Sequence, residues 1–193
     1  MISLAPQGVF WTVQGEGYLA GEPMVFVRLA GCSVNCPQCD TNYLHHSYLS
    51  PQEVVGNCVA ARDANKRAEY VWITGGEPTN QELGELRDGL WGAGFKPCIA
   101  TSGVKEVSGN WWWISVSPHS ADFVQRAGHE LKLVPGLNGL RLQDIDTRSC
   151  SFSRYYVQPM AGSRESLESC LQWLKSNPQY RLSPQSHKAW GLP

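Results

Sequence analysis

The feature that most constrains the fold is the alternation, along the chain, of short apolar β-forming segments with segments of helical periodicity. Helices are predicted from the Ser50-Pro51-Gln52-Glu53 capping box to about residue 65, and over residues 80–93 and 163–176. Strands are predicted over residues 24–30, 70–74, 96–101, 111–116, 129–134 and 155–158. Such alternation is typical of parallel β/α units, and these units are too few for a closed barrel. The sequence therefore predicts an α/β fold, an incomplete (partial) β/α barrel with few helices, formed as a single domain over residues 1–193.

Composition and charge argue against several classes of function. Hydrophobic residues make up 42% of the chain and charged residues 17%, which is enough apolar material for a packed core. The formal net charge of −1 gives no electrostatic basis for binding a nucleic acid or a membrane surface. The apolar runs are far shorter than the roughly 20 residues of a membrane span, and no signal-peptide pattern opens the sequence. We therefore expect a soluble cytoplasmic protein with neither a nucleic-acid nor a membrane partner.

Four unusual motifs follow predicted strands. They are GCSVNCPQC at 31–39, TGGEP at 74–78, TSG at 101–103 and VSPH at 116–119. In barrels of parallel strands, functional residues gather at the carboxyl ends of the strands. We therefore expect the four motifs to form one site.

The cysteine loop carries the most specific of these motifs. Cys32, Cys36 and Cys39 fall within eight residues, and three thiolates on a tight loop can hold three irons of a [4Fe–4S] cluster and leave the fourth open to a ligand. The alternative is a structural zinc site of the Cys₃His type that borrows His45 or His46. The spacing alone leaves both interpretations open.

Other apolar residues are predicted to pack in the core. Three further cysteines are interpreted as small buried hydrophobic residues, namely Cys58, Cys98 and Cys170. On the predicted helix 163–176, core spacing is also shown by Leu167, Leu171 and Leu174. The run Trp111-Trp112-Trp113 is expected to lie in the core and in a pocket or dimer wall.

Two of the motifs together resemble the radical S-adenosylmethionine superfamily. They are Cys32-x-x-x-Cys36-x-x-Cys39 and the glycine-rich TGGEP segment at 74–78, although Gln38 stands where the superfamily usually has an aromatic residue. Further segments are similar to 7-carboxy-7-deazaguanine synthases: FWTVQGEG at 10–17, RLAGC at 28–32, CDT at 39–41, QSHK at 185–188 and the last residue, Pro193. The resemblance covers nearly the whole chain and implies a partial barrel of the radical S-adenosylmethionine type.

The resemblance implies a specific reaction. Family members are carbon–nitrogen lyases that contract the ring of 6-carboxy-5,6,7,8-tetrahydropterin to give 7-carboxy-7-deazaguanine and ammonia, a step in queuosine-type 7-deazapurine biosynthesis. The implied cofactors are a [4Fe–4S] cluster, S-adenosylmethionine used catalytically, and Mg²⁺. The implied partners are an electron donor such as flavodoxin and a second copy of the chain in a homodimer.

The resemblance also implies roles for individual residues. The cluster ligands are Cys32, Cys36 and Cys39, and the Mg²⁺ ligand is Thr41. S-adenosylmethionine is expected against Gly76, Glu77, Ser102, Ser117, His119 and Gln158, with His119 standing where the family often has lysine. The pterin is expected against Val13, Gln14, Gly15, Glu16, Arg28, Thr74, His187 and the terminal carboxylate of Pro193, with Arg28 as the partner of the pterin carboxylate.

Two other functions are weighed against this one. A radical S-adenosylmethionine activase that generates a glycyl radical shares the cysteine loop, but it has no use for the QGEG and QSHK segments. A non-catalytic zinc or electron-transfer protein predicts no binding of the cosubstrate.

Overall fold

One mixed sheet organises the chain in the computed structural model, which describes residues 1–37, 39, 41–65 and 67–193. Its strands in the described residues are β1 (Ile2–Val13), β2 (Pro23–Leu29), β3 (Ser47–Leu49), β4 (Tyr70–Gly75), β5 (Lys96–Thr101), β6 (Trp113–Val116), β7 (Ala127–Leu133), β8 (Ser151–Val157) and β9 (Tyr180–Leu182). They lie in the order β3-β1-β2-β4-β5-β6-β7-β8-β9. From β2 across to β9 each neighbouring pair is parallel, whereas β1 is antiparallel to β2 and to β3. Within the described residues the sheet ends at β3 and β9 without closing, which confirms the predicted incomplete barrel.

Four α-helices accompany the sheet in the described residues, and the first three cover its outer face. They are α1 (Pro51–Asn65), α2 (Gly84–Gly92), α3 (Arg164–Ser176) and α4 (Ser186–Trp190). The predicted capping box starts α1, since Glu53 Oε2 accepts from the Ser50 backbone N–H at 2.7 Å while the Glu53 N–H donates to Ser50 Oγ at 3.2 Å. Residues 78–80 form a short 3₁₀ helix, so α2 begins four residues later than predicted. No helix in the described part of the chain is long and apolar enough to span a membrane.

The two faces of the sheet carry different residues. On the outer face, alternate residues of β2, β4 and β5, including Val25, Ile73 and Ile99, pack with Leu86 and Leu90 of α2. The inner face has an aromatic cluster at the amino ends of the strands, made of Leu19, Met24, Phe26, Trp72, Cys98 and Trp113 with Phe10, Tyr70 and Trp112 against it. Farther along the same strands and on the same face the residues become polar, with Arg28, Thr74 and Ser115 two positions beyond members of the cluster. The aromatic cluster therefore lies below the polar part of the inner face, nearer the amino ends of the same strands.

Several predicted core positions are confirmed and two are wrong. Cys58, Cys98 and Cys170 are fully buried, and burial raises the pKa of Cys58 to about 12 and that of Cys170 to about 11. Leu167 and Leu171 of α3 are instead 37% and 46% exposed. The buried stripe of α3 runs through Ser166 and Cys170, because Ser166 Oγ donates to the Pro135 carbonyl at 2.7 Å and draws that side of the helix inward.

Candidate active site

The four motifs meet at the carboxyl edge of the parallel strands, as the alternation of strands and helices predicts. The cysteine loop leaves β2, TGGEP leaves β4, TSG leaves β5 and VSPH leaves β6. Gln158 directly follows β8, and its N–H donates to the Leu133 carbonyl at the end of β7 at 2.8 Å. Parallel pairing of these strands brings motifs separated by many residues to one edge.

The cysteine and TGGEP loops are in backbone contact. The Gly76 N–H donates to the Leu29 carbonyl at 2.8 Å, and the Glu77 N–H donates to the Gly31 carbonyl at 2.9 Å. A Cβ on Gly76 would lie 1.8 Å from the Gly31 oxygen, and one on Gly75, whose φ is +117°, would lie 2.3 Å from the Leu29 nitrogen. The two glycines are therefore needed for the approach of two backbone segments, a reason that the sequence analysis did not give.

The cysteine thiols have partners from other loops. His119 Nδ1 lies 2.8 Å from Cys36 Sγ, and Asn138 Nδ2 donates to the same sulfur at 3.3 Å. Partial burial raises the pKa of the Cys36 thiol, the Asn138 hydrogen bond opposes this, and the nearby thiols of Cys32 and Cys39 add to the rise. The charges of Cys32 and Cys39 therefore act on the Cys36 thiol.

One of the two histidines considered as a fourth zinc ligand is engaged elsewhere. All seven cysteines are free thiols, and three of them share this loop, with a serine, a proline and asparagines as close neighbours. His45, a candidate fourth zinc ligand, contacts Ser3 Oγ through Nδ1 at 2.9 Å and packs on Tyr48 with 4.1 Å between ring centroids. Among the described residues, no three His, Cys, Asp or Glu side chains already converge as metal ligands. Gln38, the departure from the superfamily pattern, lies outside the described residues.

Glu77 is 2% exposed and faces into the protein. Its Oε1 accepts from Thr79 N–H, Thr79 Oγ1 and Thr101 Oγ1 at 3.0, 2.8 and 2.7 Å, and its Oε2 accepts from Ser102 N–H and Oγ at 2.8 and 2.5 Å. These bonds tie the TGGEP loop to the end of β5. The predicted contact of Glu77 with the cosubstrate stays a prediction, and the structure gives this carboxylate a role in joining two loops.

The other residues expected near S-adenosylmethionine lie along the same edge. The Ser117 N–H donates to the Thr101 carbonyl at 2.8 Å, and Gln158 Oε1 accepts from Ser183 Oγ at 2.9 Å. Burial lowers the pKa of His119; the charge of Glu77 opposes this shift, and the charge of Lys132 adds to it. His119 is therefore a neutral ring at physiological pH, unlike the lysine that the family often has.

The QGEG segment, which follows β1, contacts the inner face of β7, although five strand positions separate β1 from β7 in the sheet. Lys132 Nζ donates to Glu16 Oε2, and Gln185 Nε2 donates to Glu16 Oε1 at 2.7 Å. Burial alone would raise the pKa of Glu16, but the charge and hydrogen bond of Lys132, with help from Gln185 and His187, lower it to about 2. Glu16 is therefore an anion at any physiological pH.

Gly15 lets the QGEG segment lie close to residues 186 and 187. The Ser186 N–H donates to the Gly15 carbonyl at 3.0 Å, and a Cβ on Gly15 would lie 2.2 Å from His187 Nδ1. Gln14, 4% exposed, accepts from the Glu16 N–H at 3.1 Å. The structure thus brings the predicted pterin residues Gln14, Gly15, Glu16 and His187 together.

Two charged residues of β7 were missed by the sequence analysis. Glu130 Oε2 accepts from the Tyr18 N–H at 2.9 Å and its Oε1 from Ser115 Oγ at 2.7 Å, while Lys132 pairs with Glu16. Leu131 and Leu133 pack in the outer core, so Glu130 and Lys132 point to the inner face. The signal was present in the strand sequence HELKLV, where charged residues alternate with leucines that are fully buried.

The remaining predicted residues lie at the margins of this cluster. Arg28 Nη1 donates to Thr41 Oγ1 at 3.2 Å, and Arg28 lies in register opposite Thr74. Val13 is the last residue of β1 and lies opposite Pro23. Pro193 is exposed, and the chain before it turns back through a Leu192 N–H bond to the His187 carbonyl at 2.9 Å.

Known proteins resemble this chain over its whole length. A 7-carboxy-7-deazaguanine synthase of Burkholderia multivorans is 34% identical over 100% of both sequences. Another, of Bradyrhizobium diazoefficiens, is 34% identical over 99% of this chain and 100% of the relative. The crystal structure of QueE from Escherichia coli superposes with a TM-score of 0.71 at 26% identity, covering 95% of this chain and 93% of that one. No protein-family model matches the sequence.

Proposed function

The chain belongs to the family of 7-carboxy-7-deazaguanine synthases, and from this premise we propose how its described residues carry out the reaction. The enzyme is a carbon–nitrogen lyase of 7-deazapurine biosynthesis that contracts the ring of 6-carboxy-5,6,7,8-tetrahydropterin to 7-carboxy-7-deazaguanine with release of ammonia. No observation favours the glycyl-radical activase or the zinc protein.

One observation carries the proposal. A series of interactions crosses the site: His119 contacts Cys36, the charge of Lys132 acts on His119, and Lys132 pairs with Glu16. It joins the loop that resembles a cluster-binding motif to the loop that resembles a pterin-binding motif. Radical transfer requires the cosubstrate and the substrate to be held side by side, and this arrangement supports such a geometry.

The cofactors are assigned to the carboxyl edge. We assign a [4Fe–4S] cluster to Cys32, Cys36 and Cys39, and S-adenosylmethionine to the surface formed by Gly76, Glu77, Ser102, Ser117, His119 and Gln158. When bound, the two together supply a carbon-centred radical that removes a hydrogen atom from the substrate. The Asn138 hydrogen bond to Cys36 Sγ supports the cluster assignment, because a donor to a ligating sulfur also tunes its charge.

The substrate is assigned to the polar part of the inner face. Arg28 offers a fork of donors to the pterin carboxylate, and Thr41, whose Oγ1 accepts from Arg28, is assigned as the Mg²⁺ ligand. Glu16 and Gln14 offer oxygen acceptors to the amino and ring N–H groups of the pterin. Val13, Gly15, Thr74, His187 and Pro193 complete the proposed binding surface.

The test is a reconstitution. Protein loaded anaerobically with iron and sulfide is incubated with the pterin, S-adenosylmethionine and a chemical reductant, and the products are separated by chromatography. We expect 7-carboxy-7-deazaguanine, and none when S-adenosylmethionine is omitted. Colourless protein that binds zinc and yields no product under these conditions would contradict the proposal.

Three further features stay predictions. They are a flavodoxin-type electron donor, a homodimer and a cytoplasmic location. The homodimer is tested by the molar mass in solution, and the donor by replacing the chemical reductant with reduced flavodoxin in the assay above.

A further inference from the structure

We propose that Lys132 is a positioning residue for the substrate, which it serves by holding the Glu16 carboxylate in one orientation at the substrate side of the site. The inference rests on the proposed function and extends it. None of the motifs in the sequence analysis includes Lys132.

The carboxylate is held at both oxygens by different elements. Lys132 of β7 donates to Oε2, and Gln185, which follows β9, donates to Oε1 at 2.7 Å. The two charged side chains are 9% and 20% exposed, for Lys132 and Glu16 respectively. A carboxylate has about four acceptor positions, so two remain for N–H groups of a ligand. Glu16 is thus fixed in direction and still able to accept from a substrate.

The charge of Lys132 acts towards both the proposed cosubstrate site and the proposed substrate site. Its charge acts on His119, which contacts Cys36 on the cluster side, as well as on Glu16 on the substrate side. A small movement of Lys132 would therefore change the position of Glu16 relative to the cosubstrate.

A gain in stability over two apolar residues of the same size does not explain why a charged pair is placed here. A buried ion pair is often no more stabilising than apolar residues of the same size, because both charges lose their hydration. The structural task of holding the loop already belongs to Glu130, which accepts from the Tyr18 N–H at 2.9 Å without using Lys132. Lys132 therefore keeps the Glu16 carboxylate charged and fixes its orientation.

The experiment uses anaerobically reconstituted holoenzyme and four variants: Lys132→Met, Lys132→Arg, Glu16→Gln and the double variant Glu16→Gln/Lys132→Met. We expect Lys132→Met to raise KM for the pterin about tenfold, equivalent to ~1.4 kcal/mol, with little change in the Kd for S-adenosylmethionine. Lys132→Arg restores KM to within about threefold, because the positive charge is kept. Lys175→Met, on the exposed side of α3, is the matched control and leaves KM unchanged.

The double variant tests whether Lys132 acts through Glu16. In the Glu16→Gln background, Lys132→Met is expected to add no further increase in KM, since the group that it positions has already lost its charge. An equal loss in both backgrounds would show direct contact of Lys132 with the substrate and would overturn the proposal. The double variant leaves no unpaired charge buried. Its comparison with Glu16→Gln therefore stands even if Lys132→Met alone loses its cluster.

A pH profile supplies a readout that a structural role would not move. In the wild type, Glu16 is charged throughout the range from pH 6 to 9, and the groups facing it are Lys132, His187 and the neutral Gln185. Without Lys132, burial raises the pKa of Glu16, so KM of Lys132→Met should increase as the pH falls. A KM ratio between variant and wild type that is constant with pH would contradict the inference.

The proposed function can fail separately. If the wild type yields no 7-carboxy-7-deazaguanine, the function is wrong. If the wild type is active and Lys132→Met matches it in KM at every pH, the function stands and the inference is wrong.

Discussion

At the residue scale, the glycines of TGGEP have a structural role that the motif alone does not reveal. From the sequence, the resemblance implies that Gly76 contacts S-adenosylmethionine. In the structure, Gly75 and Gly76 lie against the backbone of Leu29 and Gly31, which leaves no room for a Cβ. The cysteine loop is therefore placed by the TGGEP loop, and the two motifs act as one unit.

Adding a methyl group at Gly76 should separate these loops. Because the Cβ would lie 1.8 Å from the Gly31 oxygen, Gly76→Ala is expected to lower the free energy of unfolding by about 1–3 kcal/mol and to reduce the iron content after reconstitution. The control is Gly56→Ala in α1, where nothing lies within 4 Å; it should raise the free energy of unfolding by about 0.5–1 kcal/mol. Chemical denaturation and iron analysis measure both effects, and equal iron content in the two variants would contradict the prediction.

Asn138, like the two glycines, has a contact that the sequence alone does not indicate. It lies in the loop after β7, and its amide N–H donates to Cys36 Sγ at 3.3 Å. Hydrogen bonds to a ligating sulfur stabilise the reduced, more negative form of a cluster. Asn138→Ala should therefore make the reduction potential more negative, as measured by a redox titration followed by electron paramagnetic resonance. Asn57→Ala, on the exposed side of α1, should leave it unchanged, and a common potential for both variants would remove Asn138 from this role.

At the scale of elements, local sequence was sufficient for the strands at the centre of the sheet and insufficient at its edges. The predicted strand 96–101 matches β5, and 24–30 and 70–74 match β2 and β4 within one residue at each end. β3 and β9 have three residues each and depend on pairing with β1 and β8. β1 contains Pro6 and a change of register between Leu4 and Val9, which break the alternation that marks a strand. These elements exist because of distant partners, and a single sequence does not show such pairing.

Two leucines, one on α2 and one on α3, differ in burial and should differ in their contribution to the free energy of unfolding. Leu86 of α2 is fully buried, whereas Leu171 of α3 is 46% exposed despite its core-like spacing. Leu86→Ala should lower the free energy of unfolding by about 2–5 kcal/mol, and Leu171→Ala should change it by no more than about 0.5 kcal/mol. Denaturant titration of the two variants measures this, and similar losses would show that Leu171 is covered in solution.

At the scale of the whole molecule, the site joins the start of the chain to its second half. The residues proposed to hold the cluster and the cosubstrate could be named from the sequence because most of them belong to motifs that follow strands. Lys132, Glu130 and Gln185 could not, since their roles arise only when the QGEG segment folds across β7. Lys132 and Glu16 are 116 residues apart in sequence, and Gln185 and Glu16 are 169 residues apart, so no local pattern reveals these contacts.

This long-range pair makes a specific contribution to stability that depends on pH. The pKa of Glu16 is lowered from 4.5 to about 2 in the folded protein. A carboxyl group with a depressed folded pKa stabilises the fold fully above its unfolded pKa, and the contribution is lost as the pH falls towards the folded pKa.

The measurement compares the wild type with Glu16→Gln by chemical denaturation between pH 6 and pH 3. The difference in the free energy of unfolding between the two proteins should shrink by about 2 kcal/mol over this range, and most of the change should occur below about pH 4.5. Asp146, whose pKa is also about 2 through its bonds with Arg148, titrates equally in both proteins and cancels from the difference. A difference that is constant with pH would mean that Glu16 is not paired in the folded protein, and the contact between the QGEG segment and β7 would have to be redrawn.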